Sequence, residues 1–336
     1  MTNKIHMLPS LKQRKRLIKV TAKTNSNYGK NPSERTIREL LQNGFINLDK
    51  PAGPTSHQVV AWVKEILDIE KAGHGGTLDP NVTGVLPVAL GDAARALQVL
   101  LVAGKEYIAL MKLHKHVEEK KIHEVCKSFV GEISQMPPLR SAVKRIQRTR
   151  EVYYLEVIEV HDTEVLFLVG CEAGTYIRTL CVDIGKKLGC GAQLIELRRT
   201  RVGTISEEKA VTLQDLKDAF YFWKEDGDDT ELRKTILSME QLLEVVPKIV
   251  VRDSSVDALC HGANLAIPGV VEIDADIKKD EIAAVLSLKG EGVALVKMEI
   301  PSEQVLERDT GICATLERVL MNKGTYPSIW KKHKQR

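Results

Sequence analysis

Apolar positions change their spacing several times along the chain, and each change marks an element. The first residues are basic and polar. They lead into one short predicted helix, "SERTIRELLQN", with Ser33 as its N-cap and Gly44 as its stop. "FINLD" reads as a strand and "KPAGPTS" as a turn, after which Thr55 or Ser56 caps a second helix. Val59, Val60, Val63, Ile66 and Leu67 recur there at helical spacing, so that helix buries one face. A glycine-rich loop follows, then the apolar run "VLPVALG" and a predicted helix, "DAARALQVLLVAG", ending at Gly104.

"EYIALMKLH" alternates as a strand and "VEEKKIHEVCKSFVG" has helical spacing. "QMPPLRSAVKRIQRTR" is an arginine-rich loop. "REVYYLEVIEV" and "TEVLFLVGCEA" are strands separated only by His161 and Asp162, the spacing of hairpin neighbours. "GTYIRTLCVDIGKKLG" is a helix with an apolar stripe of Ile177, Leu180, Cys181, Ile184 and Leu188 that Gly189 ends, and "AQLIELRRTRVGTI" returns to a strand.

Beyond "WKEDGDDTELRK", an acidic stretch read as a linker around 223–235, a bridging helix is expected through "ILSMEQLLEVV". Four short strands then follow: "KIVVRD", "GVVEID", "EIAAVLSL" and "GVALVKMEI". That is the pattern of a small β-barrel of roughly 75 residues. The expected fold class is α+β: a mixed-sheet catalytic body with a small C-terminal β-barrel. The expected boundaries are 1–43 for a basic extension packing on the C-terminal domain, 44–235 for the catalytic body and 236–330 for the barrel.

Composition narrows the function classes. At 43% hydrophobic, the 336 residues can bury a sizeable core, yet no stretch of about 18 apolar residues exists to span a membrane. The N-terminus has no apolar h-region, so a cytoplasmic location is expected. None of the six cysteines forms a C-x-x-C pair, and the nine histidines form no H-x-x-x-H pattern, so no disulfide, metal or other cofactor is expected. The net charge of +4 is mild, but the basic residues are bunched. Lys12, Arg14, Lys15, Arg16 and Lys19 form one group; Arg140, Lys144, Arg145, Arg148 and Arg150 form another; Lys331, Lys332, Lys334 and Arg336 form a third. Three groups point to a polyanionic partner. The 4% aromatic content argues against repeated base-stacking platforms.

The segment richest in chemistry is "KAGHGGTLDPNVTGVLP", where four glycines and two prolines surround one carboxylate, Asp79. An Asp before Pro is most often a simple turn residue. Glycines crowded here indicate close approach by a backbone or ligand, and Pro80 pushes Asp79 toward an extended conformation that can project its carboxylate. Paired-carboxylate hydrolysis, a G-x-S-x-G nucleophile and a G-K-[ST] phosphate loop all lack their residues here. A covalent or charge-stabilising carboxylate remains. Arg178 falls in the first turn of its helix, where the dipole disfavours a cation, and off the apolar stripe, which suggests an anionic partner.

"GHGGTLDPNVTGVLPVALG" resembles the catalytic motif of pseudouridine synthases of the TruB type. Three further blocks agree in order over residues 44–205: "GFINLDKPAGPTSHQVV", "KEYIALMKLH" and "GTYIRTLCVDIGKKLGCGAQLIELRRTRVG". "PPLRSAVKRIQRTREVYYLEV" and "HGANLAIPGVVEID" are similar to the guide-dependent, dyskerin-like branch, and the C-terminal region to a PUA domain. The short span between Met111 and Pro137 and the lack of a long lysine-rich tail make the resemblance archaeal.

The resemblance implies an enzyme that isomerises uridine to pseudouridine in rRNA or tRNA, with Asp79 as catalytic carboxylate. Tyr107 would stack on the flipped uracil and Arg178 would pair with Asp79 in a buried bidentate contact. His74, Leu197 and Lys50 would serve the substrate pocket, Lys50 by supporting the loop. Arg252, His261 and Gly262 would hold the ACA end of a guide RNA, and Arg140, Lys144 and Arg145 would bind RNA as well. The implied partners are a box H/ACA guide RNA, a zinc-ribbon-like protein, a glycine-arginine-type β-barrel protein and a kink-turn-binding protein. The alternatives are a guide-independent enzyme acting on the TΨC loop of tRNA and a non-catalytic RNA scaffold.

Overall fold

A computed structural model describes residues 7–137 and 146–328. Its strands form two sheets. The larger has ten strands, the main path running Ile236–Ser238, Gly44–Lys50, Thr83–Leu90, Ala192–Val202, Lys105–Leu113, Glu164–Cys171, Arg148–His161 and Gly131–Gln135. Ala72–His74 and Ile205–Ser206 pair off that path. The pairings are antiparallel except where Thr83–Leu90 meets Ala192–Val202, in parallel, over only Thr83↔Arg198 and Gly84↔Arg199. Gly84 makes that crossing possible: its φ is 99°, and a Cβ there would lie 2.2 Å from the Arg199 carbonyl oxygen. The hairpin predicted around His161 and Asp162 is present, with Asp162 at a left-handed φ of 50°.

The smaller sheet has seven strands in the order Arg16–Ile18, Val270–Asp274, Lys248–Val251, Ile282–Leu286, Gly292–Met298, Ile312–Val319 and Leu265–Ala266. All four strand runs read from the sequence are in it. Ile312–Val319 and the helix Asp253–Cys260 are additions to the expected elements. Arg16–Ile18, from the N-terminal extension, adds antiparallel to Val270–Asp274.

Three local expectations are corrected. Thr36, not Ser33, caps the first helix, Ile37–Asn43, through a reciprocal capping box with Glu39, while Asn31 caps a separate 3-10 turn at Pro32–Glu34. Gly44 ends the first helix as expected, in an extended conformation that also opens the next strand; a Cβ there would meet the Leu40 carbonyl oxygen at 2.5 Å. "DAARALQVLLVAG" divides into a 3-10 segment, Gly91–Leu97, and a short α-helix, Gln98–Val102. The acidic stretch is no open linker: Leu213–Asp226 and Thr230–Thr235 are helices, and "ILSMEQLLEVV" supplies strand Ile236–Ser238 and a 3-10 helix, Met239–Val245. Residues 236–238 therefore hydrogen-bond in the larger sheet, beside Gly44–Lys50. The extension also divides: Arg16–Ile18 lies on the small sheet, whereas Ile37 and Leu40 enter the core of the catalytic body.

The two sheets share a core. Phe45, Val85 and Ala89 of the larger sheet and Ala284, Leu295 and Leu320 of the C-terminal region join one apolar cluster, bridged by Met239, Leu242 and Leu243. Removing this surface from water, at about 25 cal/mol per Å², favours a docked arrangement. Much of the first basic group is used in fastening the extension to the C-terminal region. Arg14 pairs with Glu281, Arg16 with Glu272 and Asp274, and the Lys19 ammonium donates to the carbonyls of Leu306 and Arg308.

Candidate active site

The loop carrying Asp79 hangs between Ala72–His74 and Thr83–Leu90, which pair antiparallel, so its ends are held by a sheet. Buried side chains hold its middle. Lys50, at the end of its strand, is fully buried, and its Nζ donates to the carbonyls of Pro51, Pro80 and Val82 at 2.8–2.9 Å. Burial lowers its pKa from the ordinary lysine value; Arg199 adds to this and Asp79 opposes it. The Gly53 N–H also donates to Pro80 O, and Val82 N–H to Asp79 O. Ser56, the first residue of helix Ser56–Leu67, donates its hydroxyl to Leu78 O and accepts from Leu78 N–H. Thr55 is the N-cap, in a capping box with Gln58.

A cavity of about 310 Å³ opens beside the loop, within the range of sites that take a small ligand or a single base. Asp79, Tyr107, Arg178 and Leu197 line it. Asp79 and Arg178 are 99 residues apart in sequence, yet Arg178 Nη2 donates to Asp79 Oδ2 at 2.7 Å. The pair is neither buried nor bidentate: its side chains are 57% and 59% exposed, with one hydrogen bond between them. The helix of Arg178 starts at the cavity rim, which leaves the guanidinium at the mouth. An exposed pair of this kind is worth about 0–1 kcal/mol. Burial pushes the Tyr107 phenol up, so it stays protonated near neutrality, a flat face with a donor at its tip.

Two cationic residues of the cavity wall escaped the sequence reading. Arg199 is 1% exposed; it donates to Val85 O and Gly76 O and interacts with the Tyr107 side chain. Its detectable signal is an arginine two residues after Leu197, on the same face of a core strand by alternation, where a charged side chain is rare unless paired. Lys105, the lysine of "KEY", donates to the carbonyls of Leu100, Leu101 and Ala103, in the last turn and at the C-cap of the helix Gln98–Val102. Burial, with Arg199 adding, pushes its pKa down to about 8.

His74 does not line the cavity. Its ring packs edge-on against His57, with centroids 5.0 Å apart, and burial lowers its pKa, with His57 and Arg199 adding. Lys50 acts from beneath the loop and not at the cavity surface. Arg140, Lys144 and Arg145 lie outside the described residues. His261 and Gly262 line an open groove of about 700 Å³ together with Arg95, Arg318 and Lys323, so cations from both sheets' regions converge there. Arg252 is not part of that groove; it precedes the helix Asp253–Cys260. Among the described residues no helix is long and apolar enough to cross a membrane. The six cysteines are free, five of them buried.

Comparison with known proteins assigns this architecture. The TruB family pseudouridylate synthase N-terminal domain matches residues 64–177, and the tRNA pseudouridylate synthase B C-terminal domain matches 178–244. A DKCLD (NUC011) domain matches 6–60 and a PUA domain matches 247–320. A probable tRNA pseudouridine synthase B of Methanosarcina barkeri is 54% identical over 97% of this chain and 96% of its own. The one from Methanopyrus kandleri is 53% identical over 98% and 97%. Among solved structures, a chain of a Cbf5-Nop10-Gar1 complex superposes with a TM-score of 0.94 at 54% identity, covering 96% of this chain and 99% of its own. A chain from an H/ACA RNP bound to a substrate RNA containing 2'-deoxyuridine gives 0.91 at 52% identity, over 96% and 100%. With matches that span nearly its whole length, the chain belongs to the TruB family of pseudouridine synthases, in the archaeal dyskerin-like branch.

Proposed function

We propose that the chain converts uridine to pseudouridine at sites selected by a box H/ACA guide RNA, with Asp79 as the catalytic carboxylate. The reaction breaks the bond from ribose C1′ to N1, turns the uracil and joins C1′ to C5; N1 gains a proton and C5 loses one. It is an isomerisation, so no external oxidant or reductant is consumed. A carboxylate adds to the base or sugar, or stabilises positive charge at C1′. The observation that carries the reading is Asp79 at the mouth of a base-sized cavity, held by Arg178 and backed by Tyr107 and Leu197.

A stacked base cannot reach Asp79, so the target uridine flips out of its RNA, at a cost of a few kcal/mol. Tyr107 supplies a face for the uracil and Leu197 an apolar wall. Tyr107, with its raised pKa, serves as a donor and stacking surface and not as a ready base. Arg178 donates to Asp79 at the cavity mouth. Lys50 holds the loop. His74, packed on His57, shapes the loop from outside the cavity. His261 and Gly262, in the groove shared with Arg95, Arg318 and Lys323, take the guide's ACA end. Arg252 contributes from the start of the adjoining helix, and Arg140, Lys144 and Arg145 add RNA contacts. The working complex includes zinc-ribbon-like, glycine-arginine-type and kink-turn-binding proteins, in keeping with the Cbf5-Nop10-Gar1 assembly that this chain superposes on.

The names of the curated relatives favour a second activity, pseudouridine formation in tRNA, which we take to need no guide. The test is pseudouridine formation by the assembled complex, with and without guide RNA, for wild type and Asp79→Asn. Guide-dependent product that falls by about a thousand-fold in Asp79→Asn, with RNA binding intact, is expected, the scale for losing a group that acts on the reacting atoms. Product from tRNA without guide establishes the second activity. An active Asp79→Asn overturns the assignment of the carboxylate.

A further inference from the structure

Asp79 is a largely exposed side chain with one exposed partner, so the pair with Arg178 cannot by itself set where the carboxylate points. Position must come from the backbone on either side. On the C-terminal side, Pro80 O is held by Lys50 and by Gly53 N–H. On the N-terminal side, Leu78 has both of its backbone polar groups bound to one atom, Ser56 Oγ: the N–H donates to it at 2.9 Å, and the hydroxyl donates to the carbonyl at 3.1 Å. Ser56 is 1% exposed, Leu78 is 4% exposed, and Ser56 does not line the cavity.

Resting on the reading of Asp79 as the reacting carboxylate, we infer that Ser56 is a positioning residue for the reaction, holding the peptide that leads into Asp79. The hydroxyl sits at the start of a helix whose N-cap, Thr55, is already satisfied by its own capping box, so Ser56 is not needed to cap the helix. It is free to use its one proton and a lone pair on Leu78. The helix is in turn anchored by Val59, Val60, Val63 and Leu67, which pack in the same core as the Leu78 side chain. Helix and reactive loop thus move as one body, joined by an apolar contact and a two-point hydrogen bond. Without the hydroxyl, Leu78 N–H and C=O both lose their partner inside the core and the peptide turns to find others. A shift of about 1 Å at a reacting group is enough to lower a rate about a hundred-fold.

The test compares Ser56→Ala, Ser56→Thr, Val63→Ala and Asp79→Asn in the assembled complex. Val63 is fully buried, about two turns along the same helix, and serves as the control for lost stability. Single-turnover pseudouridine formation, substrate RNA affinity and urea midpoints are measured for each. The expected result is a single-turnover rate about a hundred-fold lower in Ser56→Ala, with RNA affinity within about three-fold of wild type. Ser56→Thr, which keeps the hydroxyl, recovers most of the rate, and Val63→Ala reacts normally wherever it is folded. If Ser56→Ala fails to fold, Ser56→Cys replaces it, with the same expected loss from a weaker donor. A wild-type rate in the Ser56 variant, or a loss matched by Val63→Ala at equal stability, overturns the positioning role. If Asp79→Asn itself is active, the reading of Asp79 fails whatever Ser56 does. If it is inactive while Ser56→Ala is fully active, only the role of Ser56 fails.

Discussion

The active-site cleft and the junction between the extension and the C-terminal sheet pair their cations differently. In the cleft, Lys50, Lys105 and Arg199 donate to backbone carbonyls, which carry no net charge. At the junction, Lys19 also donates to carbonyls, but the arginines meet carboxylates. Arg16 pairs with Asp274, and Arg35 forms two bonds to Glu240, whose side chain also accepts from Gly292 N–H. Ion pairs cancel charge and join elements. Carbonyl-bound cations shape a loop and leave their positive field intact. The cleft therefore stays electropositive around a single carboxylate, as a site for a phosphate-rich substrate requires.

The largest expected effect separates these two designs. Lys50→Met takes a donor from three backbone carbonyls, of which Pro80 O keeps Gly53 N–H, and backbone acceptors cannot be mutated away; a loss of about 4 kcal/mol in urea unfolding is expected. At the junction, Arg35→Ala strands a mostly buried Glu240 and costs about 3 kcal/mol, yet Arg35→Leu combined with Glu240→Leu recovers much of it because both charges are gone. Comparable losses in the single Arg35 variant and the double variant would show that the two regions do not differ in this way.

Lys105 sharpens the contrast through pH. Its folded pKa, about 8, lies below the ordinary lysine value of 10.5, so between these values the unfolded chain binds more protons than the folded one. Stability therefore rises with pH across that window, by up to about 3 kcal/mol in wild type relative to Lys105→Met. Unfolding of the two proteins at pH 7.5 and 10 measures it; parallel curves would mean that the ammonium is not held at a cost. The smallest effect belongs to the junction's surface. Arg14→Ala, which removes a partly exposed pair with Glu281, changes stability by less than about 1 kcal/mol, and even that difference shrinks in 1 M salt.

The elements and the loop were legible in the sequence because they are local. Helix Ile177–Leu188 follows from an apolar stripe and a left-handed Gly189, and strand Lys105–Leu113 from alternation. The loop drew attention because glycines and prolines rarely crowd a carboxylate without a close approach, and Gly84 supplies one. Where local signals compete, the sequence alone does not choose between them. Ser33 and Thr36 both offer an N-cap hydroxyl; Glu39 decides for Thr36 by completing the box. Ile236–Ser238 has helical neighbours, but Gly44–Lys50 offers an edge to pair with.

By itself the sequence determined that a carboxylate would project from an ordered loop in an α+β chain of this family, since that information sits in a few adjacent residues. Only the tertiary structure decided what surrounds it. Arg178 reaches Asp79 across 99 positions, Lys50 and Ser56 clasp the loop from beneath, and Arg199 is buried behind Tyr107. The pair with Arg178 lies open to solvent because its helix begins at the cavity's edge. Exposure and partner choice depend on which distant segments the sheets bring together, and no period or spacing within one segment encodes that.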